Sequence, residues 1–300
     1  MIELLRSNTP RSLSILIIAF VSLALAYSIS QGIFNWKILF GLGILFAISL
    51  LFNTLVHEHQ MLSERTYLSS LLLLYIAPKD FSSTGLLELG SLLLCLYLLY
   101  LVYHFQDGKI SDRKLFDTGF IAGLSIMLNP FSAPILIFPA LGMLYYARLR
   151  FRLVILYLTS ASLPLLFLLE INYLSDANYL IQQWPGFLSS DIEFSSPFLW
   201  TSVLFVATLI LGFLAFLQTI AKSKVSIRSG IRMLLLFSVL GFFALFQGAA
   251  SYSSSFLFLS IPLAWYLTNF LLAIRRAWLS NLLLIAVLVF LNYRDLFMGV

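Results

Sequence analysis

Few side chains in this 300-residue sequence are suited to chemistry, and those few sit at the ends of apolar runs. Lys79 and Asp80 follow Pro78. Asp80 is the candidate catalytic residue, an acid that could serve as base toward an acceptor hydroxyl. Lys79 is a point charge suited to a phosphate oxygen. Asn129, before Pro130, breaks a second apolar run, and Glu88 and Glu170 lie just inside the ends of two more. Lys79, Glu88, Asn129 and Glu170 are the candidate ligand-binding residues. An ionisable group within a membrane span is costly and marks a functional site by default. At an edge the argument weakens, because the side chain can reach water. Asp117, at the opposite edge of its run, is therefore a lesser candidate.

The remaining clusters read as structure. His57-Glu58-His59 would place its two histidines on different faces of a helix, so the tripeptide reads as a surface loop and no metal site is expected. Tyr97, Tyr100, Tyr103 and His104 recur at helical spacing and read as an aromatic belt or packed stripe. Gly119 and Gly123 form G-x-x-x-G, which lets a second helix approach closely. Cys95 is the single cysteine, so disulfide frameworks and thiolate metal clusters are excluded. No glycine-rich phosphate loop is present, and no cofactor is expected.

These residues must be positioned by a membrane bundle. The composition is 61% hydrophobic and 10% charged, with a mean hydropathy of +0.98. A soluble domain carries roughly a quarter charged residues and cannot expose this much apolar surface. The net charge of +5 is spread over short loops. That pattern fits membrane-flanking segments and excludes a nucleic-acid patch.

A spanning helix needs about 20 apolar residues. Candidate spans are Leu13–Ser30, Ile38–Val56, Thr66–Pro78, Leu86–Phe105, Phe116–Leu128, Phe131–Ala147, Leu153–Ile171, Phe198–Leu217, Ile231–Gly248, Ser253–Leu272 and Trp278–Tyr293. The expected fold is an all-α polytopic bundle of about eleven spans in one domain, residues 1–300. With the N-terminus inside, the outer segments hold Lys37, Lys79 and Arg294, and the inner ones hold the other fifteen of the eighteen basic residues. This asymmetry places the C-terminus outside. Arg6, Arg11 and Ala24-Leu25-Ala26 resemble a cleavable signal, but the apolar run continues past the site and reads as a retained span.

The third and fifth spans are short, reaching only about 20 Å of a core roughly 30 Å thick. Both end on the outer side, at Pro78-Lys79-Asp80 and Asn129-Pro130. Polar backbone at membrane depth needs cover from protein or a wet cavity, and paired broken segments point to a binding site. An outward depression near Lys79, Asp80 and Asn129 is therefore expected. The longest outer loop, Asn172–Pro197, has acids at Asp176, Asp191 and Glu193 and no basic residue. Its middle, around Trp184, reads as an interfacial segment.

Met1-Ile2-Glu3-Leu4-Leu5-Arg6-Ser7-Asn8 and Leu115-Phe116-Asp117-Thr118-Gly119-Phe120-Ile121-Ala122-Gly123-Leu124, with the run from Ile38 to Tyr173, resemble an uncharacterised multi-pass inner-membrane family of Bacteroidota. More distantly, Gly119–Glu170 is similar to the GT-C glycosyltransferase scaffold in its order: a glycine-containing span, an outer break, a second span, a basic inner loop and a third span. That resemblance implies handling of a lipid-linked sugar or isoprenoid lipid at the outer leaflet. GT-C enzymes carry a catalytic acid in the first outer loop. Here that loop, Gln31–Lys37, has none, so Asp80 or another outer acid would have to replace it. The alternatives are a non-catalytic scaffold or subunit of an envelope assembly, and a transporter. Proton coupling is disfavoured by the lack of charge deep in the spans. The expected partners are membrane lipid, a polyprenyl-phosphate lipid and other envelope proteins, with no nucleic acid.

Overall fold

A computed structural model describes residues 13–22, 36–62, 66–77, 83–107, 110–146, 151–175, 225–246, 252–274 and 276–297. Among these the chain is helical, with no strand. The helices are α1 (Leu13–Ser22), α2 (Trp36–Glu58), α3 (Leu68–Ile76), α4 (Ser83–Tyr103), α5 (Asp112–Leu128), α6 (Ile137–Tyr146), α7 (Phe151–Ser175), α8 (Val225–Phe246), α9 (Tyr252–Ala273) and α10 (Ala277–Phe297). Three segments are long and apolar enough to cross a membrane: Trp36–Glu58, Gly85–Tyr103 and Phe151–Leu174. At 1.5 Å per residue they reach about 28 to 36 Å. Lys79, Asp80, Arg148, Arg150, the Ala24–Ala26 signal-like site, the eighth expected span and nearly all of the 172–197 loop lie outside the described residues.

The chain divides into two compact units: Met1–Leu86 with Ser195–Ile231 and Ser260–Val300, and Leu87–Phe194 with Arg232–Leu259. In the first unit α3 is nine residues long and buried on nearly every side, as expected of a helix that is apolar all round. It packs on α2 and α10, and Ser70 Oγ donates to the Ser49 carbonyl of α2 at 2.9 Å. Ser280 Oγ donates at 2.8 Å to the carbonyl of Leu271 in the last turn of α9, one of the four that a helix end leaves unpaired. α2 stops in a Schellman turn: Met61 N–H reaches the Val56 carbonyl at 3.0 Å and Gln60 N–H reaches that of His57 at 3.1 Å. Gln60 takes the left-handed conformation this turn requires, with φ 50°. His57 therefore occupies the last helical turn of α2 and His59 the turn after it.

In the second unit α5 begins a turn earlier than hydropathy implies. Ser111 caps it by accepting from Lys114 N–H at 3.3 Å, and Asp112 in the first turn faces the positive end of the helix dipole. The 17 residues reach about 26 Å, so the fifth span is less short than the Phe116–Leu128 run suggests. The third is shorter than expected, at about 14 Å.

The sixth expected span, Phe131–Ala147, is not one α-helix. Residues Pro130–Leu136 form a 3₁₀ stretch and α6 follows. Pro130, Pro134 and Pro139 each remove an N–H, which disfavours a regular α ladder. The greater 3₁₀ rise gives the composite a length of about 29 Å, comparable to a membrane core.

Candidate functional site

Three contacts fix how α5 and α7 lie. Arg152 Nη2 donates to Asp112 Oδ2 at 2.7 Å. A Cβ on Gly119 would overlap Ser160 Oγ and lie 2.5 Å from the Tyr157 carbonyl oxygen. A Cβ on Gly123 would overlap the Ala161 carbonyl. Each partner on α7 lies about forty positions later in the chain, so the two helices run parallel in close backbone contact. G-x-x-x-G thus packs one helix against another, as its spacing implies.

α4 and α5 run antiparallel. Ser91 Oγ donates to the Ser125 carbonyl at 3.1 Å and lies 2.9 Å from Ser125 Oγ, and a Cβ on Gly90 would sit 3.3 Å from Leu128 Cδ1. Cys95 Sγ joins the same cluster, 3.0 Å from Ser125 Oγ. Glu88, Ser91 and Cys95 share a face of α4, at spacings of three and seven residues. The antiparallel register continues to Glu88 at the level of Asn129. Glu88 is half-buried, and Ser91, Cys95, Ser125 and Asn129 are buried.

Asn129 closes α5 and opens the 3₁₀ stretch. The following proline holds it extended, at φ −145° and ψ 107°. Its N–H reaches the Ser125 carbonyl at 2.9 Å. Its carbonyl accepts from Ser132 N–H at 3.0 Å and from Ser132 Oγ at 2.8 Å. Its Oδ1 accepts from Phe131 N–H at 3.0 Å, which fixes the amide orientation, since a flipped amide would set donor against donor. The residue is 3% exposed, and Nδ2 has no hydrogen-bond partner among the described residues. An unpartnered buried donor costs about 1–3 kcal/mol.

Glu170 stands at the same level along α7, given the offset of about forty from α5, but on another side. Tyr157, Ser160, Ala161, Pro164 and Leu168 form the buried stripe of α7. Glu170, two residues past Leu168, is about 200° round the helix and exposed. The structure therefore brings Glu88 and Asn129 to one polar level and leaves Glu170 outside it. Asp117 is exposed near the start of α5. The aromatic stripe divides: Tyr97 stacks on Tyr100 with ring centroids 6.0 Å apart, and Tyr100 meets His104 at 4.4 Å, whereas Tyr103 is buried. Among the described residues no group of three or more His, Cys, Asp or Glu is placed to hold a metal.

Tyr157 is a residue that hydropathy reading passes over. Its hydroxyl donates to the Leu136 carbonyl at 2.6 Å, at the junction of the 3₁₀ stretch and α6. That carbonyl belongs to the residue before α6, so it also takes the first backbone bond of the helix, and the hydroxyl occupies its second lone pair. A buried tyrosine opposite a proline-rich break is a signal for such a role, but only once pairing is known.

α6 folds back along α7 and also runs antiparallel to α8. Arg232 Nη1 donates to Tyr145 Oη at 3.0 Å, and Phe138 meets Phe237 edge-on at 5.5 Å between centroids. So α5, α7 and α8 run one way and α4 and α6 the other. One end of the unit carries Asp112, Arg113, Lys114, Tyr145, Arg152 and Arg232, and the other carries Glu88 and Asn129.

The sequence pattern of a family described as "Family of unknown function (DUF6427)" matches residues 1–297, further than the region that carried the sequence resemblance. No curated protein and no solved structure matches the chain.

Proposed function

The chain belongs to the DUF6427 family, and we propose that it is a multi-pass protein of the bacterial inner membrane that handles a polyprenyl-phosphate lipid or lipid-linked sugar at the outer leaflet. The observation that carries this reading is the Asn129 amide: buried, its oxygen committed to Phe131 and its nitrogen without an acceptor among the described residues. A phosphoryl or sugar oxygen entering from that end would supply the acceptor. Glu88, at the same level, would accept from a sugar hydroxyl. Lys79 and Asp80 keep the roles of phosphate partner and base.

The basic residues support the orientation. The Arg152 end faces the cytoplasm and the Asn129 end faces outward, in a bundle of about eleven spans with the N-terminus inside and the C-terminus outside. Two membrane helices that run the same way need an odd number of crossings between them. α7 and α8 are such a pair, and the apolar run 198–217 supplies a crossing. The order α5, break, α6, basic connection, α7 is also that of the GT-C-like core expected from the resemblance.

Asn129→Asp tests the reading, because it keeps an acceptor for Phe131 N–H and removes the amide donor. Native mass spectrometry of protein purified with its lipids should find a polyprenyl phosphate on the wild type. Asn129→Asp should retain on the order of tenfold less. Equal retention by the two, or none by the wild type, overturns the reading.

A further inference from the structure

The Arg152 end of the second unit, opposite the Asn129 end, carries a separate group of charged side chains. Two guanidinium groups are each held there by one nitrogen: Arg152 by Asp112 at 2.7 Å and Arg232 by the Tyr145 hydroxyl at 3.0 Å. Both are exposed, the Arg152 side chain to 82%. A guanidinium has five N–H donors in a rigid fork, so a single contact leaves most of them available on an exposed residue. Arg113 and Lys114, also exposed, add charge from the first turn of α5. Asp112 and Asp117 offset part of it. The positive dipole ends of α5 and α7 point to the same end.

α7 carries an exposed apolar stripe that starts at the same end. Phe151, Ile155 and Leu158 fall on one stripe of α7 at spacings of four and seven, and they are 80%, 44% and 51% exposed. Tyr145 is 45% exposed, an aromatic with a polar tip of the kind that settles at headgroup depth. Guanidinium donors at one end of the unit, with an apolar stripe that starts at the same end, fit a ligand with a charged head and a hydrocarbon tail.

We propose that this end is a binding site for anionic phospholipid. Arg152 and Arg232 offer their remaining N–H donors to phosphate oxygens, Asp112 and Tyr145 hold one nitrogen of each, and the tail lies along Phe151, Ile155 and Leu158.

Full-length protein in zwitterionic detergent is titrated with phosphatidylglycerol or phosphatidylcholine and read by native mass spectrometry. Wild type binds phosphatidylglycerol in preference, and the preference falls as salt rises. Arg152→Gln with Arg232→Gln weakens phosphatidylglycerol binding on the order of 30-fold, two charges at about 1 kcal/mol each. Arg152→Lys with Arg232→Lys falls between, since it keeps charge and loses the fork. Asn129→Asp leaves this binding unchanged, and the arginine variants leave any polyprenyl-phosphate retention unchanged, so the two sites fail separately. Equal affinity of the wild type for the two lipids overturns the proposal, as does undiminished phosphatidylglycerol binding by the double Gln variant with an unchanged melting temperature.

Discussion

Gly123 lies against the main-chain carbonyl of Ala161 so closely that a side chain would overlap it, with Pro164 Cδ 3.0 Å from the same point. Neither neighbour can move aside, because one is backbone and the other a ring. Gly123→Ala must therefore push α5 and α7 apart, at a cost of about 3 kcal/mol. A Cβ on Gly43 of α2 would meet nothing within 4 Å among the described residues, so Gly43→Ala should stabilise by about 0.5–1 kcal/mol through the lower chain entropy. Thermal unfolding in detergent separates the two. Equal melting of Gly123→Ala and wild type would remove the contact.

Tyr157 and Leu136 form a second testable pair. Tyr157→Phe deprives the Leu136 carbonyl of its hydroxyl donor and should cost about 1 kcal/mol. Thermal unfolding in detergent reads the loss. Equal melting of Tyr157→Phe and wild type would mean that the hydroxyl does not hold that carbonyl.

Much of this was legible in the sequence. The G-x-x-x-G spacing implied close packing, and Asn129-Pro130 implied a break, because glycine and proline act through local geometry that sequence carries directly. The start of α5 was not legible from hydropathy, since Asp112, Arg113 and Lys114 are polar although Ser111 caps a helix through them. The 3₁₀ stretch was hidden because Phe131–Ala147 is as apolar as any α-helix. The pairing of Glu88 with the Asn129 level was hidden for another reason: it depends on register between α4 and α5, which no single segment encodes. Glu170 resembled Glu88 in sequence, and only the face of α7 distinguishes them.

The turn after α2 yields a local prediction. Gln60 holds φ 50° in a position that favours glycine. Gln60→Gly should be neutral or stabilising. Gln60→Val, β-branched in the left-handed region, should be less stable than Gln60→Gly by about 1–3 kcal/mol. Equal melting of the Gly and Val variants would mean that the Schellman turn is not formed.

The proposed outward lipid site and the proposed inward phospholipid site both depend on which way the helices cross. In a Cys95→Ala background, which removes the buried native thiol, single cysteines replace Ser83, Ser189 and Ser223 and meet a membrane-impermeant thiol reagent in intact cells. The basic asymmetry predicts labelling at Ser83→Cys and Ser189→Cys, and at Ser223→Cys only after permeabilisation. Labelling of Ser223→Cys in intact cells, with protection of Ser189→Cys, would contradict the account.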